Sequence, residues 1–479
     1  MKWCLLINNA QFTAEFFAKL SEEITERGDT CLVVFNSKTA EFNKKSLFAS
    51  GVRFVSMVDW CFENYQPDKE EFGGLSWQDF FCIFDRYKAL NFNYGNSFKI
   101  ISQNYQFFEF LFDNEKPDVI VSESPAGLFH QVARYFCKKN NTPYLGLGGS
   151  RFDNRIDVYD SVFTYSKYEE YFSNLEGKNL SETEKDFSEN FIKKFVSHEK
   201  LPPYMDFVKV NFSQAGLFWH YVLKVKELGM LFKCFMAFRL YKSFDYETAI
   251  ILKKSLTAPV LAEIRQFRIL SQRKVFNDFK GNERYFLFPL QFQPEASTSV
   301  FAAYYNDQLS TIKNIAFSIP FPYMLYVKEH PAAIGLRPTA YYKKLKELPN
   351  VVLISPSANT ESLIRNSLGV IALTSTVGLE AILSGKRVYV LGNVFYSYHP
   401  LCRKLRNFEE LKDKIQEDLI SKSESDNLEN INNRFITSYF KGTIEGSITS
   451  SSLVNDNNNY KSIYEHLKKI LENLSNGNS

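Results

Sequence analysis

One pattern constrains this chain more than any other: short, wholly apolar runs alternate with longer amphipathic stretches, and the alternation occurs twice. It runs over residues 1–165, stops, and restarts at Arg284. Apolar runs of four to six residues with little internal alternation read as strands buried on both faces. Strands alternating with helices give a parallel sheet covered by helices. In the first block KWCLLIN, CLVVFN, RFVSMVD, PDVIVSE and TPYLGLGG are the expected strands. Helices are expected over 12–27 (stopped by Gly28), about 76–114 and 126–140. In the second block the strands are ERYFLFPLQ, PYMLYVKEH, NVVLIS, LGVIALT and KRVYVLG. Its helices are expected over 298–316, 338–347, 359–367 and the run TVGLEAILSG, which Gly385 ends.

The expected fold class is therefore α/β, with two Rossmann-like doubly wound domains facing a cleft and a helical insertion between them. The boundaries read as 1–165, a strand-poor helical insertion at 166–280, a second Rossmann-like domain at 281–415, and a tail at 416–479. The tail is Ser/Asn-rich from about Glu417, shows no deep apolar pattern before a final helix at 459–473, and includes a linker-like stretch at 446–459. Two domains suit the 479 residues.

Composition excludes several classes. Fifty-seven basic against 54 acidic residues leave +3, so the chain is no polyelectrolyte. Inside that neutral sum, residues 221–276 carry eleven Lys/Arg against four Asp/Glu, a surplus of seven. Tyr221, Val222, Leu223, Leu231, Phe232, Phe235, Met236 and Phe238 interleave with them. Such a segment is either a helical packing region with a basic face or a surface for an anionic membrane. The seven cysteines are dispersed without a CxxC pair, which fits a reducing cytoplasm and neither a disulfide framework nor a zinc site. No signal peptide is legible, and no apolar run approaches the ~18 residues of a spanning helix. The 46 Phe and 27 Tyr are read as compositional bias before sugar stacking.

In open α/β sheets ligands bind beyond the carboxyl ends of the strands, so the loops there are where chemistry is sought. Lys328-Glu329-His330-Pro331 follows one strand; an imidazole there can stabilise charge on a leaving group, and Lys328 adds positive potential. Thr374-Ser375-Thr376-Val377-Gly378-Leu379-Glu380 joins a strand to a helix. Hydroxyls and free N–H groups at that helix start form an anion site, and Ser375 or Thr376 also serves as N-cap. Gly378 is expected to let the backbone approach a ligand, and Glu380 to bind ribose hydroxyls. In the loop Pro289–Thr298, fixed by two prolines, Gln291 and Glu295 are hydrogen-bonding groups expected at the cleft edge. The first block offers Glu123 and Asp153 as general base or nucleophile, and Asn8-Asn9-Ala10-Gln11 as an acceptor contact. Either carboxylate equally reads as a surface or capping group.

Absences narrow the chemistry. There is no D-x-D for a metal-bridged diphosphate, no P-loop, no G-x-G-x-x-G, no G-x-S-x-G elbow and no nucleic-acid module. No metal, no cofactor and no nucleic-acid partner are expected.

FPLQFQPEAST, YVKEHP and ALTSTVGLEAILSGKRVYVLGNVFY occur in this order, and the chain resembles the capsule polysaccharide biosynthesis family over about residues 284–397. The family's best-known members are Kdo transferases. The resemblance implies a GT-B glycosyltransferase with the N-terminal domain as acceptor domain, the C-terminal domain as nucleotide-sugar domain, and a CMP-activated donor bound without metal. It implies a glycan or lipid-linked acceptor, in the cytoplasm or peripheral on the inner membrane. On this reading His330, Ser375 and Thr376 meet the donor phosphate, and Glu380 and Glu295 the ribose or base. After Phe395-Tyr396 the chain continues Ser397-Tyr398-His399-Pro400, where the family's Kdo transferases often continue Trp-Gly-Leu-Thr. Another nonulosonic acid or a nucleotide-diphosphate sugar thus stays open as donor. Alternatives on similar motifs are a CDP-glycerol-type phosphotransferase, a nucleotide-sugar 2-epimerase and a non-catalytic GT-B scaffold.

Overall fold

The computed structural model describes residues 1–10, 13–69, 72–78, 93–123, 127–159, 166–197, 239–279, 281, 283–421, 427–448 and 456–476, with 229, 232, 235 and 236. The chain divides into two compact units. The first comprises Met1–Ser161, Asn211–Pro259 and Thr443–Ser479; the second comprises Val162–Val210 and Val260–Gly442. The stretch expected as a helical insertion and the tail are therefore both shared between the units.

The first unit is built on β1 (Lys2–Ile7), β2 (Thr30–Phe35), β3 (Arg53–Ser56), β4 (Val119–Glu123), β5 (Tyr144–Gly149) and β6 (Arg155–Tyr159). With the short strand Ile444–Glu445 beside β6, the order is β6-β5-β4-β1-β2-β3. β1 to β5 pair in parallel, and β6 turns back antiparallel to β5. Both faces of β1 are buried, as its unbroken apolar run requires. On one face lie the helix Thr13–Glu26 and the final helix Asn457–Asn476, whose Tyr460, Ile463 and Leu467 share a core with Trp3, Leu5, Phe16 and Val33. The first helix ends where Gly28 adopts φ +80°, a left-handed turn that an L side chain resists. Next to it Asp29 accepts from Trp3 Nε1 (2.8 Å), the Tyr464 hydroxyl (2.9 Å) and Lys468 Nζ (3.0 Å), joining the final helix to the first strand.

The second unit carries β7 (Tyr285–Pro289), β8 (Met324–Lys328), β9 (Val351–Ile354), β10 (Gly369–Ala372), β11 (Val388–Val390) and β12 (Cys402–Lys404). All neighbours pair in parallel, in the order β12-β11-β10-β7-β8-β9. This is the doubly wound arrangement read from the sequence. The chain proceeds outward from β7 to β9, then returns to lay β10 on β7's other side. The topological switch point is thus between β7 and β10.

Two local expectations are corrected. The helix expected over 298–316 is broken into Ala296–Ser299, a 3-10 turn at Ala303–Tyr305 and Gln308–Ser318. Asp307 restarts it by accepting from the N–H groups of Leu309 (3.1 Å) and Ser310 (3.4 Å). The tail hides a helix, Leu428–Gly442, that buries Phe435, Ile436 and Tyr439. Its pattern is obscured because Asn432, Asn433, Thr437 and Ser438 are buried too, each with a partner; Asn432 Nδ2, for example, donates to the Leu383 carbonyl at 3.2 Å. This helix packs on Ser166–Asn174 and Glu182–Val196 of the same unit, with Tyr168 edge-on to Tyr439 at 5.3 Å.

Much of the basic apolar segment, including Tyr221, Val222, Leu223, Leu231 and Phe238, lies outside the described residues. Phe232, Phe235 and Met236 are exposed. Arg265 and Arg268, on the helix Tyr246–Gln272, donate to backbone carbonyls of residues 332–336. Among the described residues no helix is long and apolar enough to cross a membrane.

Candidate functional site

The sheet order of the second unit brings the sequence-derived residues to one edge. β7 lies between β8 and β10, so the loops bearing Gln291 and Glu295, Lys328 and His330, and Ser375 to Glu380 follow three adjacent strands. Two of these loops are tied together by the Thr374 hydroxyl, which donates to the Ser297 carbonyl at 3.0 Å.

Ser375 is the N-cap of the helix Thr376–Leu383 and accepts from Val377 N–H at 3.1 Å. The cap and the site are thus one feature, and the Thr376 hydroxyl makes no hydrogen bond among the described residues. Gly378 is different from the expectation. A Cβ there would meet the Tyr396 hydroxyl at 2.3 Å, so the space that glycine leaves is filled by protein. That hydroxyl donates to the Ser375 carbonyl at 2.6 Å and fixes the helix start from below.

His330 is half-buried beside the ring of Phe292. Its Nδ1 accepts from Ala332 N–H at 3.2 Å, which leaves the ring proton on Nε2. Burial, helped by the positive charges of Lys328 and Arg337, pushes His330 down to about 4. The ring is therefore a neutral N–H donor near pH 7. Burial also lowers the Lys328 ammonium, against the charges of Glu380 and Glu329. Burial raises Glu380 to about 8, with Lys328 opposing. Glu380 is thus largely a protonated acid near neutral pH, able to donate as well as accept. Lys328 Nζ also donates to the Pro356 carbonyl at 3.0 Å.

Gln291 is buried at the end of β7, and its side-chain amide makes no hydrogen bond among the described residues. Its backbone is held on both sides: the N–H donates to Gln308 Oε1 at 2.7 Å, and the carbonyl accepts from Gln308 Nε2 at 3.0 Å. Glu295 is exposed, accepts from the Ser297 hydroxyl at 3.1 Å, and its carbonyl starts the short helix after it.

Sequence reasoning missed the residues behind this edge. Glu329 is buried and accepts from Arg337 Nη1 at 2.6 and 2.7 Å, from the Tyr342 hydroxyl at 2.5 Å and from His330 N–H at 2.6 Å. Arg337 Nη2 reaches the Gln291 carbonyl at 2.6 Å. The one signal available was Glu329 itself, a carboxylate directly after an apolar strand, where burial calls for a cationic partner.

In the first unit Glu123 ends β4, next to β1 at that sheet's own switch point. Asn8, after β1, donates to Glu123 Oε1. Lys44 Nζ donates to the carbonyls of Asn8 (2.6 Å) and Ala10. Burial lowers Lys44 to about 8, with the charge of Glu123 opposing. Asn9 accepts from the Ser37 hydroxyl at 3.1 Å, and Gln11 lies outside the described residues. Asp153 is exposed in the turn between the antiparallel strands β5 and β6. The two carboxylates are thus unlike: Glu123 is held at the switch point, Asp153 is on a surface turn.

The second-unit edge has the chemistry of an anion site: a neutral imidazole N–H, a helix start with hydroxyls, and a nearby ammonium. The comparisons with known proteins bear on the same region. Residues 236–440 match the family model described as capsule polysaccharide biosynthesis protein. No protein of curated function matches the sequence. Among solved structures, a Thermosulfurimonas dismutans KpsC, described as a beta Kdo 2,7 transferase, is 12% identical with a TM-score of 0.36, covering 78% of this chain and 90% of that one. The same organism's KpsC described as a beta Kdo 2,4 transferase is 14% identical with a TM-score of 0.31, covering 62% and 75%. A Neisseria meningitidis UDP-GlcNAc 2-epimerase is 14% identical with a TM-score of 0.25, covering 92% and 98%. At such identities and scores these likenesses say nothing of activity.

Proposed function

We propose, from the match of residues 236–440 to the capsule polysaccharide biosynthesis family, that this chain is a metal-independent glycosyltransferase of bacterial surface polysaccharide synthesis. It transfers a sugar from a CMP-activated donor, CMP-Kdo first among them, to a glycan or glycolipid acceptor in the cytoplasm. The observation that carries the chemistry is that Gln291 and Glu295, Lys328 and His330, and Ser375 and Thr376 lie at the ends of three adjacent strands.

In this reaction the bond between the anomeric carbon and the CMP phosphate oxygen breaks, and a bond to the acceptor oxygen forms. Negative charge grows on the leaving phosphate. The Nε2–H of His330 and the helix start at Ser375 and Thr376 stabilise it, and Lys328 supplies positive potential. Glu380 as a neutral acid, Glu295 and the free amide of Gln291 suit the hydroxyls and base edges of a nucleoside. The acceptor's proton goes to a carboxylate of the first unit, Glu123 ahead of Asp153, because Glu123 is the one held at a switch point.

Purified protein with CMP-, UDP- and GDP-sugars and a capsule or lipid acceptor tests this. No transfer or donor hydrolysis with any of them would end the proposal. His330→Ala should remove most turnover with circular dichroism unchanged. The exposed Phe232, Phe235 and Met236 in a basic stretch further support peripheral contact with the inner membrane. Co-sedimentation with vesicles holding about a third anionic lipid, lost at high salt, is the expected sign; equal sedimentation with neutral vesicles contradicts it.

A further inference from the structure

We infer that Arg337 is a positioning residue of the donor site, stapling the loops after β7 and β8 from behind and holding the His330 ring as a neutral Nε2–H donor. The inference rests on the proposed use of this edge as the donor site.

The strand ladder between β7 and β8 ends at the pair Pro289–Lys328. Beyond it the two loops carry Gln291 and His330, which the proposed reading assigns to the donor, and one guanidinium joins them. Arg337 places Nη1 on both oxygens of Glu329 (2.6 and 2.7 Å), in the loop after β8, and Nη2 on the Gln291 carbonyl (2.6 Å), in the loop after β7. Glu329 passes the restraint on, because the same carboxylate accepts the His330 N–H at 2.6 Å. Only a planar fork reaches three acceptors in this way; an ammonium is a point donor.

Arg337 is itself held. Gln272 Nε2 donates to its carbonyl at 2.8 Å, and Gln272 Oε1 accepts from Gly335 N–H at 3.1 Å. Arg265 donates to the carbonyls of Ala332 (2.9 Å) and Ile334 (3.2 Å), and Arg268 to that of Leu336 (3.2 Å). The end of the long helix thus straps the whole segment that follows His330.

The charge acts with the geometry. The ionisable groups around the His330 ring are Lys328, Glu329 and Arg337, and both cations oppose a second proton on the imidazole. With Nδ1 engaged by Ala332 N–H, the remaining proton faces outward on Nε2. An imidazolium would lose the Ala332 contact, since both ring nitrogens would then be donors.

The test uses the full chain with ¹³C-labelled histidine. There are six histidines, and the His330 resonance is the one missing in His330→Gln. Nucleotide binding is read by calorimetry with CMP, UMP, GMP and UDP. The wild type should show the Nε2–H tautomer and no titration of His330 above about pH 5, one unit above its pKa. Arg337→Lys keeps the charge and loses the fork; CMP affinity should fall about tenfold, the worth of one charge-assisted hydrogen bond, and the tautomer signature should become mixed. Arg337→Met should also raise the His330 pKa, and adding Glu329→Gln should bring it back down. Arg337→Lys with wild-type affinity and an unchanged tautomer overturns the inference, as does an unmoved His330 titration in Arg337→Met. Should Arg337→Met not fold, the Arg337→Lys spectra decide alone. Should the wild type bind no nucleotide, the donor-site reading fails, while the histidine spectra still decide whether Arg337 sets the ring.

Discussion

Gly378→Ala tests how the helix start at the candidate site is built. In a helix interior alanine is favoured over glycine by about 1 kcal/mol, so a position with open space would be stabilised. Here the new Cβ would stand 2.3 Å from the Tyr396 hydroxyl and 2.9 Å from its Cζ. Tyr396 is only 1% exposed, so the ring has little room to withdraw. Overpacking of this kind costs about 1–3 kcal/mol. Pushing the ring away also weakens its 2.6 Å bond to the Ser375 carbonyl, worth about 0.5–1.5 kcal/mol. After the helix gain is subtracted, the net loss is about 1–3 kcal/mol, or about 2–12 °C in thermal midpoint for a unit of this size. Calorimetric scans of the wild type, Gly378→Ala, Tyr396→Phe and the double variant form a cycle. Removing the hydroxyl abolishes the shortest contact, so the double variant should be more stable than additivity predicts by about 1 kcal/mol. A Gly378→Ala protein that melts at or above the wild-type temperature, or four values that simply add, would refute the account.

Three further outcomes are expected. Asp29 is held well below the usual carboxylate range; burial alone would raise it, but hydrogen bonds from the N-terminal ammonium, Trp3, Lys468 and Tyr464 win. Its folded pKa is depressed, so its stabilisation is present above the unfolded value of about 4 and is lost as pH falls below that. Denaturation of Asp29→Asn between about pH 2 and 6 should therefore show a flatter acid limb than wild type. Glu380 has the opposite sign. Raised from 4.5 to about 8, it binds its proton more tightly when folded, so stability falls as pH climbs through that window. Glu380→Gln should remove the slope, and an unchanged pH–stability curve would contradict the assignment. Asp245 is fully buried and accepts from Thr248 N–H (2.9 Å), the Thr248 hydroxyl (2.7 Å) and Lys38 N–H (2.9 Å), bonding the first turns of the helices Tyr246–Gln272 and Lys38–Lys44 at once. Asp245→Ala should cost about 2 kcal/mol, near the upper end for a cap, read as a lower urea midpoint.

By itself the sequence determined most strands of the two sheets, their burial and the loops that follow them. A strand covered on both faces is a continuous apolar run, and parallel strands need a long crossover, usually a helix, so the strands within KWCLLIN, ERYFLFPLQ and LGVIALT could be read from the sequence. The residues at or just beyond the end of each run then lie at the sheet's carboxyl end, which is why His330, Ser375 and Glu123 were legible as positions. Tertiary structure alone decided which edges meet. β10 comes fourth in the second sheet's chain order yet lies against β7, and that return makes the switch point. It also decided what Gly378 is for, since the ring filling its space arrives from Tyr396, 18 residues on. Arg337 is seen as a partner of Glu329 and Gln291 only once the turn after His330 folds back. The buried helix Leu428–Gly442 escaped notice because its inner face uses asparagine, serine and threonine. Apolar burial leaves a periodic trace along the chain. Hydrogen bonds that satisfy a buried polar group depend on partners supplied by other segments, and they leave none.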